Sequence, residues 1–140
     1  MKTIFTLLAL TWAIGLLAQT NEDDSIYTKV EVMPQYIGGD DAFLKYLGSI
    51  PYPAEAKNND ISGAVYVKCV IDTMGNVTNV DIAKSSGSGI LDSASIAHIS
   101  KMPAWKPGYH AGKPVRVQYI VPIKFVLVGG VSRTKNKRED

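Results

Sequence analysis

The sequence predicts an α+β domain in the order helix–β–β–α–β, and three observations carry that reading. Every odd position from Val115 to Leu127 is apolar: Val115, Val117, Tyr119, Val121, Ile123, Phe125 and Leu127. That period of two marks a long strand with one buried face. A second alternation, Val65, Val67, Cys69 and Ile71, is joined through Asp72-Thr73-Met74-Gly75-Asn76 to a returning segment, Val77 to Lys84, with Val80 and Ile82 inward. This is a β-hairpin with a glycine turn. Between hairpin and last strand, Leu91, Ala94, Ser95, His98, Ile99 and Met102 share one face of a helix running from about Ile90 to Lys101.

Taken in order, each element has a local cause. Lys2 precedes an uncharged run from Thr3 to Ala18, which gives way to polar residues from Gln19 to Asp24. This is the layout of a secretory signal peptide over 1–18, cut after Ala18. Leu16 is large for its place near the cut, so an uncleaved anchor stays open as the alternative, although the run is shorter than the ~20 residues a spanning helix needs. Residues 19–50 read as a leader with a short helix. Ser25 to Val32 alternates as a short strand or extended segment, and Met33-Pro34 ends it. Gly38-Gly39 turns the chain, Asp40 or Asp41 caps a helix carrying Phe43, Leu44 and Leu47, and Gly48 closes it.

Tyr52-Pro53 opens the main domain, 51–128, with proline preset for the first turn of a short helix from Ala54 to Asn59. Gly63 starts the sheet, and Tyr66 and Lys68 face away from the hairpin's apolar side. Val77 falls out of phase with its neighbours, which predicts a bulge near the start of the second strand. Ser85 to Gly89 breaks the pattern, and Pro103 forces the long helix to end. Pro122 has no N–H to give to a ladder, so the last strand is expected at a sheet edge. Such a strand must be blunted or used to pair with another chain. Residues 129–140, with Arg133, Lys135, Lys137 and Arg138, read as a basic disordered tail.

A chain of 140 residues, 46% hydrophobic and with a net charge of +2, suits one domain with short appendages. It lacks the concentrated basic stripe of a nucleic-acid binder, so no nucleic-acid partner is expected. The single cysteine, Cys69, allows no internal disulfide and reads as a small core residue. Ser85, Ser86, Asp92, His98 and His110 are the residues from which a catalytic set could be drawn. The serine run lacks the glycine frame of a nucleophile elbow, so the serines read as loop and helix cap and Asp92 as a first-turn charge. His98 sits on the apolar helix face and reads as a satisfied, semi-buried histidine, while His110 reads as an exposed loop residue. Histidines and a cysteine on separate elements make no metal set. No enzyme activity, cofactor or metal is expected. Trp105, framed by Pro103 and Pro107, reads as a plug pinning its loop against the sheet in preference to an exposed binding aromatic.

The ordered motifs form a specific set. Tyr52-Pro53 with Ala54 and Ala56 is followed by Gly63-x-Val65-x-Val67, Asp72-x-x-Gly75-x-Val77, Ser85-Ser86-Gly87 and Leu91-Asp92. Then come Met102-Pro103-x-Trp105-Lys106-Pro107-Gly108, Gly112-Lys113-Pro114-Val115 and Val121-Pro122-Ile123-x-Phe125. From about Val32 to Leu127 the chain resembles the TonB C-terminal domain family in its Bacteroidetes-type form. The resemblance implies a periplasmic domain with a three-stranded antiparallel sheet in the order second, first, third, and helices packed on one face. It implies that the last strand binds the TonB box of an outer-membrane TonB-dependent transporter by strand addition, at Val115, Arg116, Val117, Gln118, Tyr119, Ile120 and Val121, with Tyr52 added from the Tyr-Pro motif.

In the family, force comes from an inner-membrane ion-driven complex through an anchor helix and a long proline-rich linker. Here residues 19–33 contain no proline and extend at most about 3.6 Å each, too little to cross a wide periplasm. Binding is therefore expected of this chain, and force transmission by it alone is not. The rival reading is an exported structural or assembly protein that uses the same edge for a homodimer or for docking to an envelope complex. The loop Pro103–Pro114 reads as the brace that sets the edge in place.

Overall fold

The computed structural model describes residues 24–127. The signal-peptide reading of 1–18 and the tail reading of 129–140 lie outside the described residues. The elements are β1 (Ile26–Tyr27), α1 (Asp40–Gly48), α2 (Ala54–Asn58), β2 (Gly63–Ile71), β3 (Val77–Lys84), α3 (Gly89–Ser100), β4 (Gly108–His110) and β5 (Lys113–Phe125).

The two alternating segments recognised in the sequence, β2 and β5, pair antiparallel without a slip, from Gly63 opposite Phe125 to Ile71 opposite Val117. The register matches odd with odd: Val65 with Ile123, Val67 with Val121, Cys69 with Tyr119 and Ile71 with Val117. Residues directly opposite each other point to the same side of a sheet, so both apolar sets make one face. On it Val65, Val67, Cys69, Ile71, Val117 and Val121 are fully buried, each large aliphatic contributing on the order of 1.5–3 kcal/mol. Burial pushes the Cys69 thiol up to about 11, which suits a packing residue and not a nucleophile.

All three described helices join this core. Ala56 of α2, Leu91 and Ile99 of α3, and the half-buried Phe43, Tyr46 and Leu47 of α1 belong to one cluster with the sheet's odd face. Ser95, buried among them, donates its hydroxyl to the Leu91 carbonyl at 2.8 Å, so that hydroxyl is satisfied. On the opposite face Tyr66 and Ile120 are exposed, and the Lys84 ammonium lies 5.8 Å from the Tyr66 ring centre.

Strand order is β1-β5-β2-β3, with β4 also paired to β5. The hairpin's second strand, its first strand and the last strand thus follow the expected order. The sheet is not three-stranded and purely antiparallel, however. Among the described residues it has five strands, and β1 runs parallel to β5. β4 escapes the sequence reading because His110 and Lys113 flank a two-residue turn in which Ala111 and Gly112 take φ of 49° and 74°. That is the backbone of a primed hairpin turn, but alanine does not advertise a positive φ as asparagine or aspartate would. β1 spans two residues, too few for an alternation to be read.

Two irregularities break the β2–β3 register, between Tyr66 and Val67 and between Lys68 and Val70. The second sits where the phase of Val77 placed a bulge, close to Asn79 at φ 50°. Helix α1 begins one residue earlier than a side-chain cap would allow. Gly39 is its N-cap and no side chain caps it, while Asp40 and Asp41 occupy the first turn and complement the dipole instead.

Trp105 is the plug the sequence suggested, 3% exposed. Its ring meets Phe43 at 5.0 Å, Tyr119 at 5.1 Å and Tyr36 at 5.6 Å, all edge-on.

Candidate functional site

Along Val117 to Phe125 the inner side of β5 is occupied by β2. On the outer side β1 pairs with Arg116 and Val117, through Ile26 and Tyr27. From Gln118 to Phe125 no described strand pairs with the outer side. Outward-pointing N–H and C=O groups of that stretch are a template for an added strand, and Pro122 interrupts the row of donors.

The residues expected to bind a peptide divide into two groups. Val115 is paired with Gly108 of β4, and Arg116 and Val117 already have partners in β1, so this half of the predicted segment is taken up by the chain itself. Gln118, Tyr119, Ile120 and Val121 are backed by Val70, Cys69, Lys68 and Val67 of β2 and keep their outer side. Ile120 is 49% exposed on the face away from the helices, whereas Val121 is buried. Tyr52 stands apart from Val115, at the far end of the strand. Its ring meets Phe125 edge-on at 5.5 Å and its hydroxyl donates to the Ile61 carbonyl, so it braces the strand end.

The open stretch has a stiff backing. Tyr119 packs on Trp105 and, at 6.3 Å, on Phe43. Burial raises the Tyr119 pKa, with smaller contributions from the charge of Asp40 and from Cys69, so the phenol stays neutral. The loop before β5 is tied to the leader by reciprocal backbone bonds. Lys106 N–H donates to the Gln35 carbonyl at 2.8 Å and Gln35 N–H returns to Lys106 at 3.0 Å. Tyr109 N–H donates to Val32 at 2.8 Å, with Val32 N–H returning at 3.1 Å. Gly108 permits this approach, because a Cβ there would lie 2.7 Å from Val117 Cγ2 and 3.1 Å from Pro34 Cδ.

The residues considered for catalysis are spent on structure. Asp92 accepts hydrogen bonds from the Ser85 hydroxyl, from Ser86 N–H at 3.0 Å and from the Ser86 hydroxyl at 2.8 Å. His98 stacks on Tyr46 at 4.4 Å, its Nε2 lying 2.8 Å from the Tyr46 carbonyl while the Tyr46 hydroxyl donates to the His98 carbonyl at 2.7 Å. His110 is not the exposed loop residue its glycine neighbours suggested. It ends β4, half-buried, with its ring 5.2 Å from Tyr27 and its Nδ1 4.0 Å from a Glu31 carboxylate oxygen. Among the described residues no group of His, Cys, Asp and Glu could hold a metal ion, and no helix is long and apolar enough to cross a membrane.

What the sequence reading missed is the leader's part at this edge: Asp24, ion-paired with Arg116, and Tyr27 and Glu31 beside His110. The alternation from Ser25 to Val32 was a signal of extended chain, but not of where that chain docks.

Comparison with known proteins matches residues 49–127 to the family described as Gram-negative bacterial TonB protein C-terminal. Two NMR structures of the Helicobacter pylori TonB C-terminal domain are similar to the chain. The shorter is 26% identical, with 61% of this chain and 90% of that one covered and a TM-score of 0.47. The longer is 25% identical, with 66% and 87% covered and a TM-score of 0.48. No curated protein matches.

Proposed function

Because the chain belongs to the TonB C-terminal domain family, we propose that it binds the TonB box of an outer-membrane transporter by adding that segment as a strand to the outer edge of β5. The family is a periplasmic-type, non-enzymatic domain that serves TonB-dependent transport and interacts with TonB-dependent outer-membrane transporters. The finer assignment, to the box and to this edge, is the proposal.

The observation that carries it is the one-sided pairing of Gln118–Phe125, a regular strand with a long partner inside and none described outside. The sheet's other edge, β3, is a poorer template. Its register is broken twice, Asn79 takes a positive φ, and Asp81 and Lys84 are exposed along it, the usual devices against edge pairing. On β5 main-chain hydrogen bonds supply affinity, while Gln118 and Ile120 supply preference.

Titration of the isotopically labelled chain with TonB-box peptides, followed by backbone amide shifts, tests this reading. Perturbation centred on Gln118–Val121 is expected. Peptides that leave those amides unmoved would sink it. Export by a signal peptide and a soluble periplasmic state are part of the same proposal, and the mature N-terminus measured by mass spectrometry decides them: a start at Gln19 supports export with cleavage, and an intact Met1 supports the anchored form.

A further inference from the structure

The chain carries its own occupant for part of this edge. β1 lies on the same side of β5 as the open stretch, and pairs in parallel with Arg116 and Val117, immediately before Gln118. Side-chain contacts accompany that ladder. The Arg116 guanidinium is ion-paired with Asp24, and the Tyr27 ring lies against His110.

The attachment is graded along the leader. Val30, Pro34 and Tyr36 are buried, and Val32 and Gln35 hold reciprocal backbone bonds, so this part is rooted. Toward the N-terminus Ile26 is 44% exposed and the Asp24 side chain 88% exposed. A short ladder and an exposed ion pair open far more readily than a strand buried on both sides.

Resting on the strand-addition reading above, we propose that Asp24–Tyr27 is a displaceable strap that stands in for the partner. An extended segment that pairs with β5 from Arg116 onward must take its place. The strap's contacts then state what that segment offers: a parallel strand with a carboxylate for Arg116 and, three positions later, an aromatic ring for His110. While the strap is bound, a partner reaches only the edge beyond Val117. Once it leaves, the site lengthens by two residues and gains both side-chain subsites. The root at Val30–Tyr36 keeps the strap close, so it competes as an intramolecular ligand.

Two measurements on the full chain test this. Hydrogen exchange should show the amides of Tyr27 and Arg116, whose N–H groups face across the β1–β5 ladder, opening independently of Val65–Cys69, and Asp24→Ala should speed the first group by about two- to fivefold with no change in the second. Equal protection of both groups, or exchange insensitive to Asp24→Ala, overturns the strap. In the second, a peptide copying Asp24–Lys29 and a counterpart with lysine in place of the aspartate are titrated into the Asp24→Ala chain. The same peptides are titrated into a chain carrying Tyr27→Cys and Val117→Cys, oxidised and then reduced. The acidic peptide should bind the Asp24→Ala chain about two- to fivefold more tightly than its counterpart. It should bind the oxidised pair several-fold more weakly than the reduced one. Indifference to charge and to the lock overturns the assignment of the subsites. A TonB-box peptide that binds no variant would contradict the proposed function, while exchange and the copied peptide still decide the strap.

Discussion

The carbonyl oxygen of Trp105 lies 1.8 Å from where a Cβ of Gly75 would stand, and the Trp105 N–H donates to the Gly75 carbonyl at 2.7 Å. The turn of the β2–β3 hairpin and the loop that feeds β5 are therefore locked together through a position only glycine can fill. Gly75 also takes φ of 84°, in the left-handed region. Gly75→Ala faces both obstacles, and the tryptophan backbone cannot move away without lifting the ring from Phe43, Tyr36 and Tyr119. A loss of about 3 kcal/mol or more is expected, read from denaturant unfolding, together with a weakened near-ultraviolet dichroism of Trp105.

A second lock joins α1 to α3. The Tyr46 hydroxyl donates to the His98 carbonyl and His98 Nε2 meets the Tyr46 carbonyl, with the rings stacked between. Tyr46→Phe keeps the ring and removes one half-buried donor, which should cost about 1 kcal/mol. His98→Ala loses the stack as well and should cost more. Equal stability of wild type and Tyr46→Phe in the same denaturant series would show that the hydroxyl bond contributes nothing.

Much of this was legible in the sequence, and the exceptions have physical causes. β2 and β5 declare themselves because one buried face imposes a strict period of two on both. Trp105 was readable as a plug because prolines frame it. β4 was hidden by Ala111, whose positive φ no local signal announces, and the docking of β1 was hidden because two residues carry no period. The surroundings of His110 could not be read locally, since Tyr27 and Glu31 arrive from far back in the chain. For the same reason the predicted edge was drawn from Val115 to Val121: alternation tells which face a strand buries, but not which neighbour already holds its backbone.

Acid stability should report on Asp92. Burial raises its pKa, but hydrogen bonds from the Ser85 hydroxyl and from the N–H and hydroxyl of Ser86 outweigh that and hold it below the ordinary aspartate value of 3.8. A carboxylate depressed in the folded state adds stability above its unfolded pKa, and that contribution is lost as pH falls through the folded pKa. Asp92→Asn should therefore be less stable than wild type near neutral pH, and the gap should close as pH drops below the ordinary aspartate range. Denaturant midpoints taken from pH 7 downward check this, and a gap that stays constant would contradict it.

Strand addition makes a demand that no side-chain contact makes. Along an added strand, alternate N–H groups of the partner point at β5 and the rest point away. A TonB-box peptide methylated at one backbone nitrogen at a time, and titrated into the full chain, tests this directly. The account predicts a period of two: methylation at every second position weakens binding by about fivefold for each lost hydrogen bond of roughly 1 kcal/mol, and the positions between are tolerated. Uniform tolerance, or losses that follow side-chain type with no alternation, would contradict pairing at the outer edge of β5.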